Sequence, residues 1–354
     1  MNPETPAAAA DTRPAAPATP THLRPLQGSA LVVGTIALSL ATFMNVLDTS
    51  IANVSIPSIA GDMGVSASQG TWVITSFGVA NAIAVPLTGF LTQRFGAVRT
   101  FLSSILLFTL FSFLCGQAPS LSVLIVFRVL QGASAGPMIP LSQTLLLSSY
   151  PPKRSGMALA MWSMTTLIAP IAGPLLGGWI TDNISWPWIF YINVPVGVVC
   201  TLVTLTIYRS RETPTRKLPI DWTGLALLVI WVGSLQIMLD KGEQLDWFGS
   251  KTIVALAVAA VVGFVLFLIW ELTDRHPVVD LKLFALPNFS LGTTMLARPM
   301  ACTSVRWCCC RCGCRNPSAT PPPRPAACWH GWGCSRCCSC PSWGATPARS
   351  TRAG

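Results

Sequence analysis

Charged residues are scarce in this chain of 354 residues: Asp, Glu, Lys and Arg make up 10% of it, and its mean hydropathy is +0.56. A water-soluble domain carries roughly a quarter of charged residues, so this scarcity excludes a soluble globular fold. Apolar stretches of about 20 residues, the length that a helix needs to cross a bilayer, recur from Ala30 onward. We therefore predict an all-α, polytopic membrane protein.

Histidine is also rare, with His22, His276 and His330 as its three occurrences. The sequence contains no Ser/His/Asp set, no HExxH zinc-protease motif and no Walker-type phosphate loop. We therefore do not expect an enzyme, a cofactor or transport driven by ATP.

The formal net charge of +10 would suggest a nucleic-acid partner, but the charge is unevenly distributed. Eight of the 23 basic residues are arginines located after Ala297, whereas all 13 acidic residues precede it. Cysteine divides in the same way, with Cys115 and Cys200 before residue 300 and eleven more between Cys302 and Cys340. Two segments of different composition are therefore joined near residue 297.

Residues 298–354 contain no Leu, Ile, Phe, Tyr, Lys, Asp or Glu, a composition that fits neither a core nor an ordinary surface. GC-rich codons for Cys308–Cys314 and Cys328–Cys340, read one base earlier, give Leu-rich segments typical of membrane helices. We interpret 298–354 as a disordered tail, rich in Cys, Arg and Pro, that is translated out of frame after a frameshift between Met295 and Met300. DNA sequencing across codons 290–310 tests this interpretation.

A membrane anchor with a ligand-binding tail is the alternative. Cys334 and Cys337 form a CxxC pair close to His330, but the run Cys308–Cys310 lacks the two spaced pairs of a zinc site, so we predict no metal site. Arginines such as Arg306 could contact nucleic acid, but no structured element presents them, and we expect no nucleic-acid partner. Stoichiometric zinc binding by the purified tail would favour this alternative.

The apolar stretches predict eight membrane helices and an orientation. Basic loop residues resist translocation and stay on the cytoplasmic side. Twelve of them fall on one side of the predicted membrane and only Lys241 and Lys251 on the other, which predicts a cytoplasmic N terminus. The predicted helices cover residues 30–59, 69–91, 101–117, 121–147, 156–180, 189–208, 222–239 and 252–272, and a ninth begins near Asn288.

The same pattern divides the chain into segments. The first residues are rich in Ala, Pro and Thr and lack the apolar core of a signal peptide, which predicts disorder. The predicted segments are a cytoplasmic lead at 1–28, a six-helix bundle at 29–208, a cytoplasmic linker at 209–221, two further spans at 222–272, a cytoplasmic loop with the start of an aborted helix at 273–297, and the tail at 298–354.

Polar residues interrupt the first predicted helix. Asn45, Asp48, Thr49 and Asn53 follow helical spacing, which predicts a polar stripe along one face. We expect Asn45, Thr49 and Asn53 to line the substrate cavity. An ionisable Asp48 inside the bilayer is costly unless it is paired or protonated, so Asp48 is a candidate for proton handling, with a structural carboxylate as the alternative. Arg128 in the fourth helix lies at a similar depth in the outer half of the membrane, and we predict that the two pair until Asp48 is protonated.

Several motifs resemble those of the major facilitator superfamily. The segment Gly89–Arg99 is similar to the signature loop between helices two and three, with basic residues at Arg94 and Arg99. The resemblance implies that Gly89 and Gly96 let helices approach and that the charges latch one conformation. The Asp usual in that signature is Gln93 here.

The helix-four segment Arg128, Gln131 and Gly132 resembles the proton-linked arginine motif of the superfamily. The segments Leu47–Val54 and Trp188–Gly197 resemble the EmrB/QacA group within it. The fifth predicted helix resembles the antiporter signature, and its small residues favour close helix contact. The residues of that signature are Pro170, Gly173, Pro174, Gly177 and Gly178.

This resemblance implies a fourteen-span drug/proton antiporter in which two six-helix bundles, separated by two extra spans, alternate between two open states. It implies a lipophilic or cationic drug-like substrate, protons, and in double-membrane bacteria a periplasmic adaptor and an outer-membrane channel. Since the second bundle is missing, and with it the helices expected to oppose Gly173, we expect no transport by this chain alone. An exporter or importer of one specific metabolite is the alternative among transporters.

Overall fold

The computed structural model describes residues 25–215, 221–273, 279 and 281–295. Within these residues eight helical segments are long and apolar enough to cross a membrane and no strand is present, which confirms the predicted all-α class. We number these segments span 1 to span 8. They cover Gly28–Asp62, Ala67–Phe95, Ala97–Gly116, Leu121–Ser149, Pro152–Asn183, Trp188–Tyr208, Trp222–Lys241 and Lys251–Thr273.

Several spans are composed of more than one helix. Span 5 begins with the 3-10 turn Pro152–Arg154 and continues as Ser155–Asn183. Spans 2, 4 and 6 each contain two α-helices: Ala67–Gly70 and Trp72–Phe95, Leu121–Ala135 and Met138–Ser149, and Trp188–Tyr191 and Asn193–Tyr208.

The boundary between spans 2 and 3 differs from the prediction. Span 3 begins at Ala97 rather than near residue 101, because Gly96 alone reverses the chain. Gly96 has a φ of 94°, a conformation that glycine adopts without the strain a Cβ atom would bring. No loop residues are therefore needed between the two helices.

Spans 1 to 6 form one bundle. Span 1 contacts spans 4, 5 and 6, and span 4 also contacts spans 2 and 3. Two apolar clusters fill this bundle, one including Leu38, Met44 and Phe101 and the other including Ile51 and Phe190. Asp48 lies in span 1 between Leu47 and Ile51, which both belong to the second cluster.

Span 1 begins and span 4 ends at the same end of the bundle, where the Leu26 amide donates to the Ser149 carbonyl at 2.9 Å. The Tyr208 hydroxyl, at the end of span 6, is hydrogen-bonded to the Ser149 hydroxyl at 3.1 Å. We call this end the inner end and the opposite end the outer end, following the orientation that the sequence predicts.

The linker after span 6 caps the start of span 3 at the inner end. The Glu212 carboxylate accepts the amide N–H groups of Val98 and Arg99 at 3.0 Å each, and the Thr213 hydroxyl accepts a third amide at 2.9 Å. A side chain at Gly96 would collide with the Glu212 carboxylate. These contacts, which we call the Glu212 cap, satisfy donors that have no partner within the helix.

Span 7 packs against span 2 and span 8 against span 7. At the outer end of span 7, the buried Lys241 ammonium donates to the Thr71 hydroxyl, to the Ser68 carbonyl at 3.3 Å and to the Gln244 side chain at 3.2 Å. It also lies 4.9 Å from the centroid of the Trp72 ring. This cation–π and hydrogen-bonded contact joins the two extra spans to the bundle.

The last described residues form a 3-10 helix at Leu281–Ala285 and an α-helix over residues 287–295. The second of these lies where the sequence predicts the start of a ninth helix. The predicted lead up to residue 24 and the tail 298–354, with its frameshift and its cysteine pairs, lie outside the described residues.

Candidate functional site

The structure brings Asp48 and Arg128 together. The Nη1 atom of Arg128 lies 2.6 Å from the Oδ2 atom of Asp48, and the side chains are 0% and 1% exposed respectively. Charge-assisted hydrogen bonds of this kind are short and strong, and a charge buried in this way must be compensated. The depth that the sequence predicts for both residues therefore corresponds to an ion pair between spans 1 and 4.

Arg128 is held by more than its carboxylate partner. Its Nε atom donates to the Val73 carbonyl of span 2 at 3.0 Å, and Nη1 also donates to Gln131 at 2.8 Å. The Cζ atom lies 4.3 Å from the ring centroid of Phe77 and 5.4 Å from that of Phe190. Span 2, span 4 and the start of span 6 thus fix the position of the guanidinium.

The second oxygen of Asp48 accepts two amide groups. Oδ1 is 3.1 Å from Gln131 Nε2 and 2.9 Å from Asn193 Nδ2. An ionised carboxylate only accepts hydrogen bonds, whereas a protonated one must donate one. With three donors directed at it, from Arg128, Gln131 and Asn193, Asp48 is arranged for the ionised form.

This geometry can perform proton-linked chemistry. A proton added to Asp48 forms an O–H bond and removes the negative charge that Arg128 faces. The Cys115 thiol lies at the edge of the site, with its Sγ atom 3.6 Å from Gln131 Oε1. The network therefore contains one carboxylate that can gain a proton and one guanidinium whose partner then changes.

The predicted polar stripe of span 1 is divided between two faces. Asn45 is buried beside Asp48, and its Nδ2 atom donates to the Ala135 carbonyl of span 4 at 3.2 Å. Thr49 and Asn53 are exposed on the surface of the bundle. Because successive residues of an α-helix point about 100° apart, Thr49 cannot share the direction of Asp48. The prediction of one continuous face is therefore wrong.

The signature-loop residues have different surroundings. Gly96 and Arg99 both meet Glu212, with Arg99 Nε 3.7 Å from the carboxylate. Arg94 lies beside aromatic rings of its own helix. Gly89 is exposed, and a Cβ atom there would meet nothing within 4 Å. Among the residues that the structure describes, no helix comes close to Gly89, and its role stays a prediction, whereas Gly96 allows the linker to approach.

Gly132, the third residue of the helix-four motif, lies at the contact between spans 2 and 4. A Cβ atom at this position would collide with the Phe77 carbonyl oxygen. The glycine therefore brings span 4 close enough for Arg128, one turn earlier, to reach the backbone of span 2.

The antiporter-signature glycines contact span 1. A Cβ atom at Gly173 would collide with the Ser50 side chain, and one at Gly177 would come within 3.2 Å of Ile51. The helix that opposes these glycines therefore belongs to the same bundle, and the expectation that it lies in a second bundle is wrong. Gly178 has no neighbour within 4 Å of its Cβ position in the part of the chain that the structure describes.

The prolines of the same motif create a hydrogen-bond acceptor. Pro174 has no amide N–H, so the carbonyl of Pro170, four residues earlier, has no donor within the helix. The Ser50 hydroxyl of span 1 donates to that carbonyl at 3.2 Å. The spacing of the two prolines thus produces a specific bond between spans 1 and 5.

Sequence reasoning missed the roles of Asn193, Ser112 and Glu212. Asn193 lies in the segment Trp188–Gly197, and it is followed at helical spacing by buried Gly197, Cys200 and Thr204. That spacing indicates that the Asn193 face of span 6 is turned inward, which was the available signal. Glu212 had no comparable signal, because its contact depends on the path of the linker.

Comparison with known proteins places this site in a family. A family model described as Major Facilitator Superfamily matches residues 38–304. "Multidrug export protein EmrB" of Haemophilus influenzae is 62% identical over 268 residues, which cover 76% of this chain and 52% of that protein. "Fatty acid resistance protein FarB" of Neisseria gonorrhoeae is 52% identical over 268 residues, which cover 76% of this chain and 53% of that protein.

A solved structure supports the fold. The crystal structure of the peptide transporter POT in complex with sulfate has a TM-score of 0.52 at 14% identity, covering 71% of this chain and 55% of that one. The chain spans about half the length of the curated relatives it matches. From the matched family model and these relatives, the chain belongs to the major facilitator superfamily.

Proposed function

We propose that this chain takes part in the export of lipophilic, drug-like compounds in exchange for protons. The observation that carries the proposal is the buried Asp48–Arg128 pair, because an ionisable carboxylate inside a membrane protein needs a functional reason. The names of relatives such as EmrB, a multidrug export protein, support the direction of transport and the breadth of substrates.

Asp48 is the proton carrier in this proposal. When Asp48 is ionised, it holds spans 1 and 4 together through Arg128 and Gln131. Protonation cancels the charge, weakens this link and favours a second arrangement of the helices. Export follows if the substrate binds better to the ionised state and leaves from the protonated one.

The substrate is lipophilic. One relative is named for multidrug export and another for fatty acid resistance, and fatty acids are lipophilic, which supports this substrate class. Thr49 and Asn53, which are exposed on span 1, remain candidates for the polar side of the substrate cavity. Transport of one specific metabolite is the alternative.

The location proposed is a bacterial inner membrane with a cytoplasmic N terminus. The imbalance of basic residues between the two sets of loops supports this orientation. A periplasmic adaptor and an outer-membrane channel are the partners that the resemblance to the EmrB group implies.

A binding experiment with the purified chain tests the role of Asp48. The chain is placed in lipid nanodiscs and mixed with ethidium, a lipophilic cation, in a weakly buffered solution that contains a pH-sensitive dye. We expect ethidium binding to release protons and the Asp48→Asn variant to release none. The control, Asp182→Asn, removes an exposed carboxylate at the end of span 5 and should behave like the parent chain.

A cellular experiment tests export. The chain is expressed as it is and also extended by the remaining residues of the Haemophilus influenzae relative, in bacteria sensitive to dyes and uncouplers. We expect tolerance to several compounds from the extended chain, and no tolerance when it carries Asp48→Asn. Full tolerance with that variant would contradict the proposal, and tolerance to a single compound would favour the metabolite alternative.

A further inference from the structure

We propose that Asn193 is a positioning residue that keeps Asp48 ionised and transmits its protonation to the turn over residues 188–193, at the outer start of span 6. This proposal rests on the proposed function, because it takes Asp48 as the group that exchanges protons. It adds to the coupling network a residue and a segment for which the sequence indicated a family resemblance but no role.

The amide of Asn193 joins two acceptors. Its Nδ2 atom donates to Asp48 Oδ1 at 2.9 Å and to Ser112 Oγ of span 3 at 3.0 Å. Asn193 is only 1% exposed, so water does not compete for these hydrogen bonds. Both N–H groups of the amide are therefore used, and their directions are fixed by two different helices.

Ser112 continues the network to the backbone of the turn. Its hydroxyl donates to the Phe190 carbonyl at 2.9 Å. A continuous row of hydrogen bonds thus leads from the Asp48 carboxylate through Asn193 and Ser112 to the segment that precedes the longer helix of span 6.

The same turn also contacts the cation of the pair. The Phe190 ring lies 5.4 Å from the Arg128 guanidinium carbon, and Phe190 is fully buried. The turn is therefore connected to both members of the pair. Hydrogen bonds connect it to Asp48, and a cation–π contact connects it to Arg128.

Protonation reverses the hydrogen-bonding requirement at Asn193. When Asp48 Oδ1 gains a proton, the new O–H group is a donor that faces the Asn193 N–H, which is also a donor. Rotation of the amide by about half a turn presents its oxygen to the O–H group and restores a bond. The same rotation moves Nδ2 away from Ser112, so the row of bonds to the turn opens.

Few other charges face Asp48 in the described part of the chain. Arg128 of span 4 carries the positive charge, and the titratable Cys115 thiol of span 3 lies against Gln131. Span 2 contributes the neutral Val73 carbonyl and Phe77 ring, and span 6 contributes Asn193. Span 5 has no charged residue between Arg154 at its start and Asp182 at its end. Loss of the Asn193 donor should therefore appear directly in the titration of Asp48.

Infrared difference spectroscopy of the full chain in nanodiscs measures the protonation of Asp48 as a function of pH and needs no transport assay. A carboxylic acid C=O band should grow as the pH falls. The part of this band that is absent in Asp48→Asn measures the protonated form of Asp48. In Asn193→Leu we expect the midpoint of this band to move to higher pH by about one unit, because the charged form loses a hydrogen bond. Asn183→Leu, which changes an exposed amide at the end of span 5, should leave the midpoint unchanged.

A second variant, Ser112→Ala, tests the same role if Asn193→Leu does not fold. Ser112→Ala keeps the amide but frees its rotation, and we expect a smaller upward movement of the midpoint. Unchanged midpoints in both variants, or an unchanged midpoint in the one that folds, would overturn the role of Asn193 while leaving Asp48 as a proton carrier. If no band in the parent chain depends on Asp48, the proposed function itself fails.

Hydrogen exchange tests transmission to the turn at a single pH. Asp48→Asn places a neutral group with a donor at position 48, as protonation does, and we expect faster exchange of the amides over residues 186–193 than in the parent chain. Asp182→Asn should show the parent rate. Equal rates in Asp48→Asn and the parent would contradict the transmission.

Discussion

Arg128 uses the shape of the guanidinium group as well as its charge. Its Nε atom reaches the Val73 carbonyl while Nη1 reaches both Asp48 and Gln131, and the Phe77 ring lies over its plane. A lysine carries its charge on a single nitrogen and cannot hold these groups at once. The site therefore requires arginine rather than a positive charge alone.

We accordingly predict that Arg128→Lys destabilises the chain by at least about 2 kcal/mol, since charged hydrogen bonds are lost and the Val73 carbonyl stays buried without a donor. Thermal unfolding in detergent should show a Tm lower by several degrees. Arg154→Lys, an exposed change at the inner end, serves as the matched control. Equal Tm values for the two variants would show that the several N–H donors of the Arg128 guanidinium group are not needed for stability.

For single residues, the sequence predicted how deep a side chain lies in the membrane. It did not predict which face of the helix the side chain occupies. Counting residues from the ends of apolar stretches placed Asp48 and Arg128 at one level, because the rise per residue is constant. The same count could not separate Asp48 from Thr49, whose side chains point to different faces. It also missed Asn193, whose amide is directed by Ser112 from another span.

Among the helices, spans 1 and 5 come closest together at Gly173. Gly173 leaves no room for a side chain beside Ser50, whereas Gly178, in the same helix, has open space around its Cβ position. The two positions form a matched pair, because both lie in one helix of one motif.

We predict that Gly173→Val separates spans 1 and 5, with a cost of about 1–3 kcal/mol from overpacking or a failure to fold. Gly178→Val should be close to neutral. Expression level and Tm in detergent measure the difference. A Gly173→Val chain as stable as Gly178→Val would show that span 5 can move away without loss.

The number and order of the helices were predictable because bilayer thickness sets the length of each apolar stretch. Which spans pack against one another could not be predicted from the sequence. The glycine and proline spacing of span 5 indicated a tight contact, but its partner, span 1, is defined by Ser50 and Ile51, which have no unusual sequence signal. The start of span 3 was also misplaced, since Gly96 replaces a loop.

For the molecule as a whole, Lys241 joins the two extra spans to the six-helix bundle. We predict that Lys241→Met, which keeps the apolar stem but removes the ammonium, loosens the outer end of span 7 from Trp72 and Thr71. Hydrogen exchange over residues 236–247 should become faster, and exchange around Asp48 should not change. Lys251→Met removes an exposed charge at the start of span 8 and should have no effect.

The fold class and the family were predictable at this scale from composition and from the order of the motifs. The closure of the inner end was not, because Glu212 belongs to a linker whose path no periodicity describes. Its contact with span 3 emerges only when the helices are assembled, since span 6 must end close to the start of span 3.

The Glu212 cap has a consequence for biosynthesis. The Val98 amide and the carboxylate that caps it are 114 positions apart in the chain. A ribosome therefore delivers the whole of span 6 before the first turn of span 3 acquires its partner. In nascent chains shorter than this, the first amides of span 3 lack the acceptors that the linker supplies.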